Sequence, residues 1–258
     1  MTIQVIRYHT LQPGPTLLLL GAVHGNETCG AHAIKHLNAL LDNARVHLTA
    51  GTLITVPIAN PKAYATHQRF CERNLNRQLY PKATCTYYED HLTPILCPLL
   101  AEADCVLDLH SYTSQGGPFI FLGGNNSQET TYARALGVNH FIYGWQDAYN
   151  KAVGNTNETY QAHLESMGIT EYARAKGALA ITLDLDGDIA NIVQSEHVSF
   201  PPILQTRKIR INRCPMATDT SCDILVVGGG PAGSTAASWT STARWSPVMP
   251  MSGWPRWR

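Results

Sequence analysis

A three-layer α/β/α fold around a mixed, largely parallel sheet is what the sequence predicts, on three observations. Short apolar runs recur along the first two hundred residues, stretches with helical spacing separate them, and two runs end in residues suited to metal chemistry. The runs lie at residues 16–23 (TLLLLGAV), 52–60 (TLITVPIAN), 105–110 (CVLDLH), 119–123 (FIFLG) and 178–186 (ALAITLDLD), each bounded by Gly, Pro or polar residues. Continuous apolar character suits strands buried on both faces of a parallel sheet. Between them, residues 30–41 put Ile34, Leu37 and Leu41 at helical spacing. Residues 94–103 and 159–176 read as further helices, the last interrupted near Gly168.

Composition narrows the function classes. The chain has 258 residues, 44% of them hydrophobic, so it can bury a real core in one large domain or two small ones. Nineteen basic residues balance nineteen acidic ones, without the basic excess that binding a phosphate backbone leaves, and no nucleic-acid partner is expected. The longest apolar run, at residues 17–23, is far short of the roughly 20 residues of a membrane span, and no charged segment precedes a cleavable apolar stretch. The expectation is a soluble, cytoplasmic protein without a membrane partner. The seven cysteines are odd in number and never spaced C-x-x-C, which predicts reduced thiols and neither a disulfide framework nor a zinc knuckle. Oligomeric state is not legible.

The first strand after the amino terminus runs directly into His24-Gly25-Asn26-Glu27. Ligands of α/β sheets gather at the carboxyl ends of strands, so a His and a Glu three residues apart on that turn can converge on one point, with Gly25 helping the chain to bend. Imidazole nitrogen and carboxylate oxygen suit zinc. The strand at 105–110 ends in Asp108-Leu109-His110. His110 completes a set of two His and one Glu that leaves a fourth zinc position open, the arrangement of catalytic sites. Alternation places Asp108 on the face of His110, where it can orient a ligand imidazole.

The stretch Gly21-Ala22-Val23-His24-Gly25-Asn26-Glu27, followed by Asn60-Pro61, Arg69, Asn74-Leu75-Asn76-Arg77 and Asp108-Leu109-His110, resembles the succinylglutamate desuccinylase and aspartoacylase family of zinc-dependent hydrolases. That family is related to the zinc carboxypeptidases, and the resemblance covers about residues 15 to 190. It implies a mixed α/β/α fold, one Zn2+ held by His24, Glu27 and His110, and hydrolysis of the amide bond of a small N-acyl amino acid. It also implies that Arg69 steadies the carbonyl oxygen as charge develops, and that Asn76 with Arg77 holds the substrate's carboxylate. The chemistry agrees, since Arg is the best planar, bidentate partner for a carboxylate. Arg174 lies where relatives can carry another carboxylate-binding Arg, and equally where a helix shows its surface.

One position departs from the pattern. The family's general base is a Glu on a late strand, usually in a T-L-E-L-G context, whereas this chain reads Thr182-Leu183-Asp184-Leu185-Asp186-Gly187. Alternation points Thr182, Asp184 and Asp186 to one face. Asp184 therefore faces the site, one methylene or about 1.5 Å short of a Glu, and misplacement by about 1 Å can cost on the order of a hundredfold in rate. A working short base, a catalytically weakened relative that keeps its zinc, a relay through Asp186, and aspartates that merely cap a turn are the open readings.

Beyond residue 200 the alternation of elements is lost. The expected organisation is a zinc-dependent hydrolase domain at 1–205, a linker at 206–220 whose cluster Arg207, Lys208, Arg210 and Arg213 reads as a solvated charged stretch rather than an anion-binding patch, and a distinct segment at 221–258. In that segment a strand at 223–227 leads into Gly228-Gly229-Gly230-Pro231-Ala232-Gly233, which resembles the start of FAD-dependent monooxygenases and halogenases. Only 25 residues follow Gly233, and none from Trp239 onward is Asp or Glu. A dinucleotide-binding βαβ unit needs about 30 residues and an acidic ribose contact. The expectation is an incomplete FAD-binding start with an irregular tail, derived from a neighbouring flavoprotein reading frame; a flavin-dependent oxidoreductase fragment is the lesser alternative.

Overall fold

The computed structural model describes residues 2–112, 116–124, 126–145, 148–149 and 164–186. Along these, strands and helices follow in the order β1 (Ile6–His9), β2 (Thr16–Gly21), α1 (Cys29–Asp42), β3 (Thr52–Val56), α2 (Pro61–Ala65), a 3-10 helix (Tyr88–Leu92), α3 (Thr93–Glu102), β4 (Cys105–Tyr112), β5 (Phe119–Phe121), α4 (Ser127–Ala135), β6 (Phe141–Ile142), α5 (Ile169–Ala175) and β7 (Leu179–Asp186). The strands form one sheet in the order β1-β3-β2-β4-β7-β5-β6. Its inner four strands, β3, β2, β4 and β7, are mutually parallel. β1 joins β3 antiparallel and β5 joins β7 antiparallel, while β6 runs parallel to β5. The sheet is thus mixed with a parallel centre, as the apolar runs predict.

Two apolar layers sandwich that centre. On one face Leu17, Leu19, Leu107, Leu109 and Ile181 pack with Ile34 of α1 and with Tyr132 and Ala133 of α4. On the other, Leu18, Leu20, Val106 and Ala180 pack with Leu96 and Leu100 of α3 and with Ile169 and Ala173 of α5. A strand such as β2, with Leu on both faces, is stable only between two helical layers.

The order of connections decides where a site can form. From β2 the chain moves through α1 to β3 on one side, then returns past β2 through α3 to β4 on the other. The reversal falls at β2, and the carboxyl end of a strand at such a reversal is where α/β sheets bind ligands.

Elements also appear where no apolar run announced them. β1 alternates half-buried and exposed residues, as an edge strand covered on one face does. α4 is polar overall, but the Asn126 side chain accepts the Gln128 and Glu129 amides and so caps its start. β3 stops at Val56, short of residue 60, because Asn60 caps α2 through Ala63 N and Pro61 fills its first turn. The interruption expected near Gly168 is the N-cap of α5; residues 159–163 lie outside the described part, as do the boundary near 205, the linker at 206–220 and the flavin-like segment at 221–258.

Candidate metal centre

The turn after β2 is shaped by two tight constraints. Ala22 adopts φ 49°, a left-handed conformation that costs a non-Gly residue about 1–2 kcal/mol, and it is held by the segment that follows β3. Ala59 N donates to Gly21 O at 2.9 Å and Asn60 N to Ala22 O at 3.1 Å. Gly25 then lies against α2 so closely that an added Cβ would stand 2.0 Å from Ala63 C and 2.3 Å from Tyr64 N. Gly25 is needed for this close approach; its φ is not among the positive ones.

That turn brings His24 and Glu27 together with His110, which projects from β4. His24 Nδ1 lies 2.9 Å from Glu27 Oε1, His110 Nδ1 lies 2.7 Å from Glu27 Oε2, and the two Nδ1 atoms are 3.1 Å apart. All three side chains are buried. The outer nitrogen of each imidazole has its own acceptor: His24 Nε2 lies 3.0 Å from Asn74 Oδ1, and His110 Nε2 lies 2.7 Å from Asp108 Oδ2. A neutral imidazole whose Nε2–H is held this way would turn a bare Nδ1 lone pair toward a metal ion, in place of the Nδ1–H that hydrogen-bonds Glu27. Two such lone pairs and a carboxylate converging on one point fit a divalent cation. Ligands about 2.0–2.1 Å from one tetrahedral zinc stand about 3.3 Å apart, a few tenths of an ångström more than here. The donor set is consistent with a single Zn2+.

The charges are organised accordingly. Burial works to raise the Glu27 pKa, but hydrogen bonds from His110 and His24 outweigh it and hold the carboxyl far below the usual range. Arg69 Nη1 donates to Glu27 Oε1 at 2.6 Å and the Ser111 amide to Oε2 at 3.2 Å. Burial lowers the His24 pKa below its ordinary value against the pull of Glu27. Burial acts the same way on His110, where Asp108 and Glu27 overcome it and raise the value.

Asp184 sits one strand over. In the parallel register of β4 and β7 it is the direct partner of His110, and Thr182 that of Asp108, so these four residues share one face of the sheet; the Asp186 side chain lies outside the described part. Burial pushes the Asp184 carboxyl up to about 6, with Glu27 and Asp108 adding to the rise and His110 and Arg69 opposing it.

The remaining predicted residues lie on the loop after α2. Arg69 reaches the centre directly and is half exposed, with 50% of its side chain open to solvent. Asn76 uses its Oδ1 to accept the Ile169 amide at 2.8 Å, anchoring the start of α5. Arg77 donates to Asn76 O at 2.5 Å, and its guanidinium stacks on Trp145 and Tyr149 at 4.8 and 4.3 Å from the ring centroids. Among the described residues Arg77 has no carboxylate partner, and its Nε is buried without an acceptor. Arg174 is committed elsewhere. It bonds Glu129 at 2.6 Å, Glu171 at 3.3 Å and Ala180 O at 2.5 Å, which makes it a brace between α4, α5 and β7.

Sequence reasoning assigned no role to the groups that hold this loop. Glu89, fully buried, accepts the amides of Cys71, Glu72 and Arg73 at 2.7, 3.2 and 3.1 Å and Asn60 Nδ2 at 3.2 Å. Asp90 holds Arg73 Nε at 2.7 Å, and Arg73 in turn binds Asn74 O and Arg77 O at 3.1 and 2.6 Å. The signal available was the acidic pair Glu89-Asp90 just ahead of Thr93-Pro94, a helix-start pattern whose loop contacts no local rule foretells.

Fold and site together define a mixed-sheet α/β protein with a candidate single-metal centre at its strand ends. The structure resembles that of a succinylglutamate desuccinylase/aspartoacylase from Rhodobacter sphaeroides, with TM-score 0.54 and 21% identity over 70% of this chain and 50% of that one. It resembles an aspartoacylase family protein from Mesorhizobium loti, with TM-score 0.57 and 23% identity over 73% of this chain and 57% of that one. In sequence it is 28% identical over 117 residues to a probable aspartoacylase of Nostoc, covering 42% of this chain and 39% of the relative. It is 36% identical over 104 residues to the N-alpha-acetyl-L-2,4-diaminobutyric acid deacetylase of Halomonas elongata, covering 38% and 29%. The chain thus spans well under half the length of these two relatives. Residues 13–185 match the succinylglutamate desuccinylase/aspartoacylase catalytic domain, and the chain belongs to that family. The match ends before the flavin-like segment, for which no support is found.

Proposed function

We propose that the chain is a zinc-dependent deacylase that hydrolyses the amide bond of an N-acyl amino acid. The observation that carries this reading is the convergence of His24, Glu27 and His110 on one point with Asp184 as the direct strand partner of His110. His24, Glu27 and His110 would hold a zinc ion there, and when bound it would supply water activation near neutral pH and polarisation of the scissile carbonyl. Asp184 takes the proton of the attacking water and returns it to the leaving nitrogen, so that the C–N bond breaks to a carboxylic acid and a free amine. Arg69 stands at the centre's edge, where it steadies the carbonyl oxygen as charge develops. Arg77, without a carboxylate of its own among the described residues, receives the substrate's carboxylate with Asn76.

The relatives named for aspartoacylase and for N-acetyl-diaminobutyrate deacetylation support an N-acylated amino acid as the substrate class. We assign the activity to a domain at 1–205 and place it in the cytoplasm, which suits Cys97 and Cys105 as buried thiols outside any disulfide. No helix of the described residues is long and apolar enough to cross a membrane. The test is a hydrolysis screen of the zinc-loaded protein over N-acetyl, N-succinyl and longer N-acyl amino acids. Release of free amino acid, lost with a chelator and restored by zinc, is expected. The shorter Asp184 favours one second reading, a relative that holds zinc but turns over poorly; full zinc with no hydrolysis would select it.

A further inference from the structure

Next to Asp184 the sheet changes character. Phe119 of β5 is the direct antiparallel partner of Asp184, so His110, Asp184 and Phe119 stand in one row on one face, each about 4.8 Å from the next strand. Phe119 opens a line of rings. Its centroid is 5.3 Å from that of Phe121, Phe121 is 5.9 Å from Trp145, and Trp145 is 5.7 Å from Tyr149. All four are only half-buried. The far end of the line is where Arg77 stacks, on Trp145 and Tyr149. One continuous aromatic strip therefore joins the candidate base to the guanidinium that has no carboxylate partner among the described residues.

We propose that this strip is the subsite for the side chain of the substrate's amino-acid half, and that it selects N-acyl amino acids with aromatic or large aliphatic side chains. The inference rests on the deacylase reading above. In an N-acyl amino acid the α-carbon carries the amide nitrogen, the carboxylate and the side chain. With the amide at the metal centre and the carboxylate on Arg77, the side chain emerges between them, over Phe121 and Trp145. Half-exposed rings gain by being covered with apolar surface. A second carboxylate there, as in an acidic amino acid, would lose its water without a hydrogen-bonding partner from the rings. Stacking also fixes the plane of the guanidinium, which is then ordered for a bidentate anion before one arrives.

The experiment compares kcat/KM for N-acetyl-L-phenylalanine, N-acetyl-L-leucine, N-acetyl-L-alanine, N-acetyl-L-aspartate and Nα-succinyl-L-glutamate in the zinc-loaded full chain and in Phe121→Ala. In parallel, calorimetry follows binding of N-acetyl-L-phenylalanine to Asp184→Asn, alone and combined with Phe121→Ala. The native protein is expected to favour the phenylalanine and leucine compounds at least about tenfold over the acidic ones. Phe121→Ala is expected to lose roughly 10–100-fold on N-acetyl-L-phenylalanine, chiefly through KM, and less than about threefold on N-acetyl-L-alanine. Phe121→Leu, which keeps the bulk, serves if the alanine variant does not fold or hold zinc. Preference for the acidic compounds, or equal loss on all substrates, would overturn the strip's role and leave the deacylase reading standing. Binding weakened by Phe121→Ala with no hydrolysis of any compound would support the strip and sink the deacylase reading. Neither binding nor hydrolysis would end both.

Discussion

The ligand side and the base side of the centre are built from neighbouring strands by opposite rules. At the ends of β2 and β4, Glu27 meets two imidazoles, a guanidinium and a backbone amide, and is held as a carboxylate far below the usual range. One strand over, Asp184 is half-buried, and no hydrogen bond or ion pair among the described residues reaches it. Burial, with no donor among the described residues to offset it, pushes it up to about 6. Two carboxylates facing one point are thus driven apart in acidity by their surroundings. The partnered one suits a fixed ligand; the unpartnered one can exchange a proton near neutral pH.

If that division of labour is right, the two sides fail differently. The largest effect belongs to the base: Asp184→Asn is expected to lower kcat on the order of 10²–10⁴-fold while zinc content stays unchanged. Asp184→Glu is the sharper probe. In a working enzyme it brings no gain, whereas a rise above about tenfold would show that the shorter side chain limits the rate. On the ligand side, Asp108→Asn removes the carboxylate that fixes His110, and zinc affinity measured by competition with a chelator is expected to fall about 10–100-fold. Smaller still is the loop: Glu89→Ala takes the acceptor from three partly buried amides and from the buried Asn60 side chain, for about 2–3 kcal/mol in urea denaturation, with a rise in KM as Arg77 loses its support.

The pH dependence separates the sides as well. The native state holds Asp184 at about 6 against an ordinary 3.8, so it favours the protonated form. The stability this contributes is complete below pH 3.8 and is lost as pH rises through 6. The Tm of metal-free native protein, measured relative to that of metal-free Asp184→Asn, is therefore expected to fall across that window. Zinc, a nearby cation, pulls the carboxyl down and shrinks the same slope.

Much of this was legible because it is written in short segments. Leu on both faces of residues 17–20 required two helical layers, and His24, Glu27 and His110 each follow a strand-like run whose end must face the crevice. Asp108 beside His110 follows from alternation alone. The loop was less legible, because Glu89 meets residues 71–73 only once the chain has folded back, and no periodicity encodes that meeting. Asn74 lay inside a recognised motif, but its contact with His24 Nε2 depends on the path of the loop in three dimensions. Arg174 shows the reverse case, a guanidinium that could have faced the site until Glu129 and Glu171 claimed it. The aromatic strip joins β5 to Trp145 and Tyr149 across 26 to 30 positions of sequence from Phe119, a separation that neither composition nor spacing reveals.

The central claim is that His24, Glu27 and His110 together hold one zinc. Elemental analysis of the dialysed protein beside its His110→Ala variant tests it most directly. The account predicts about one zinc per chain in the native protein and its loss from the variant. A native protein without zinc, or a variant that keeps it at undiminished affinity, would contradict the account.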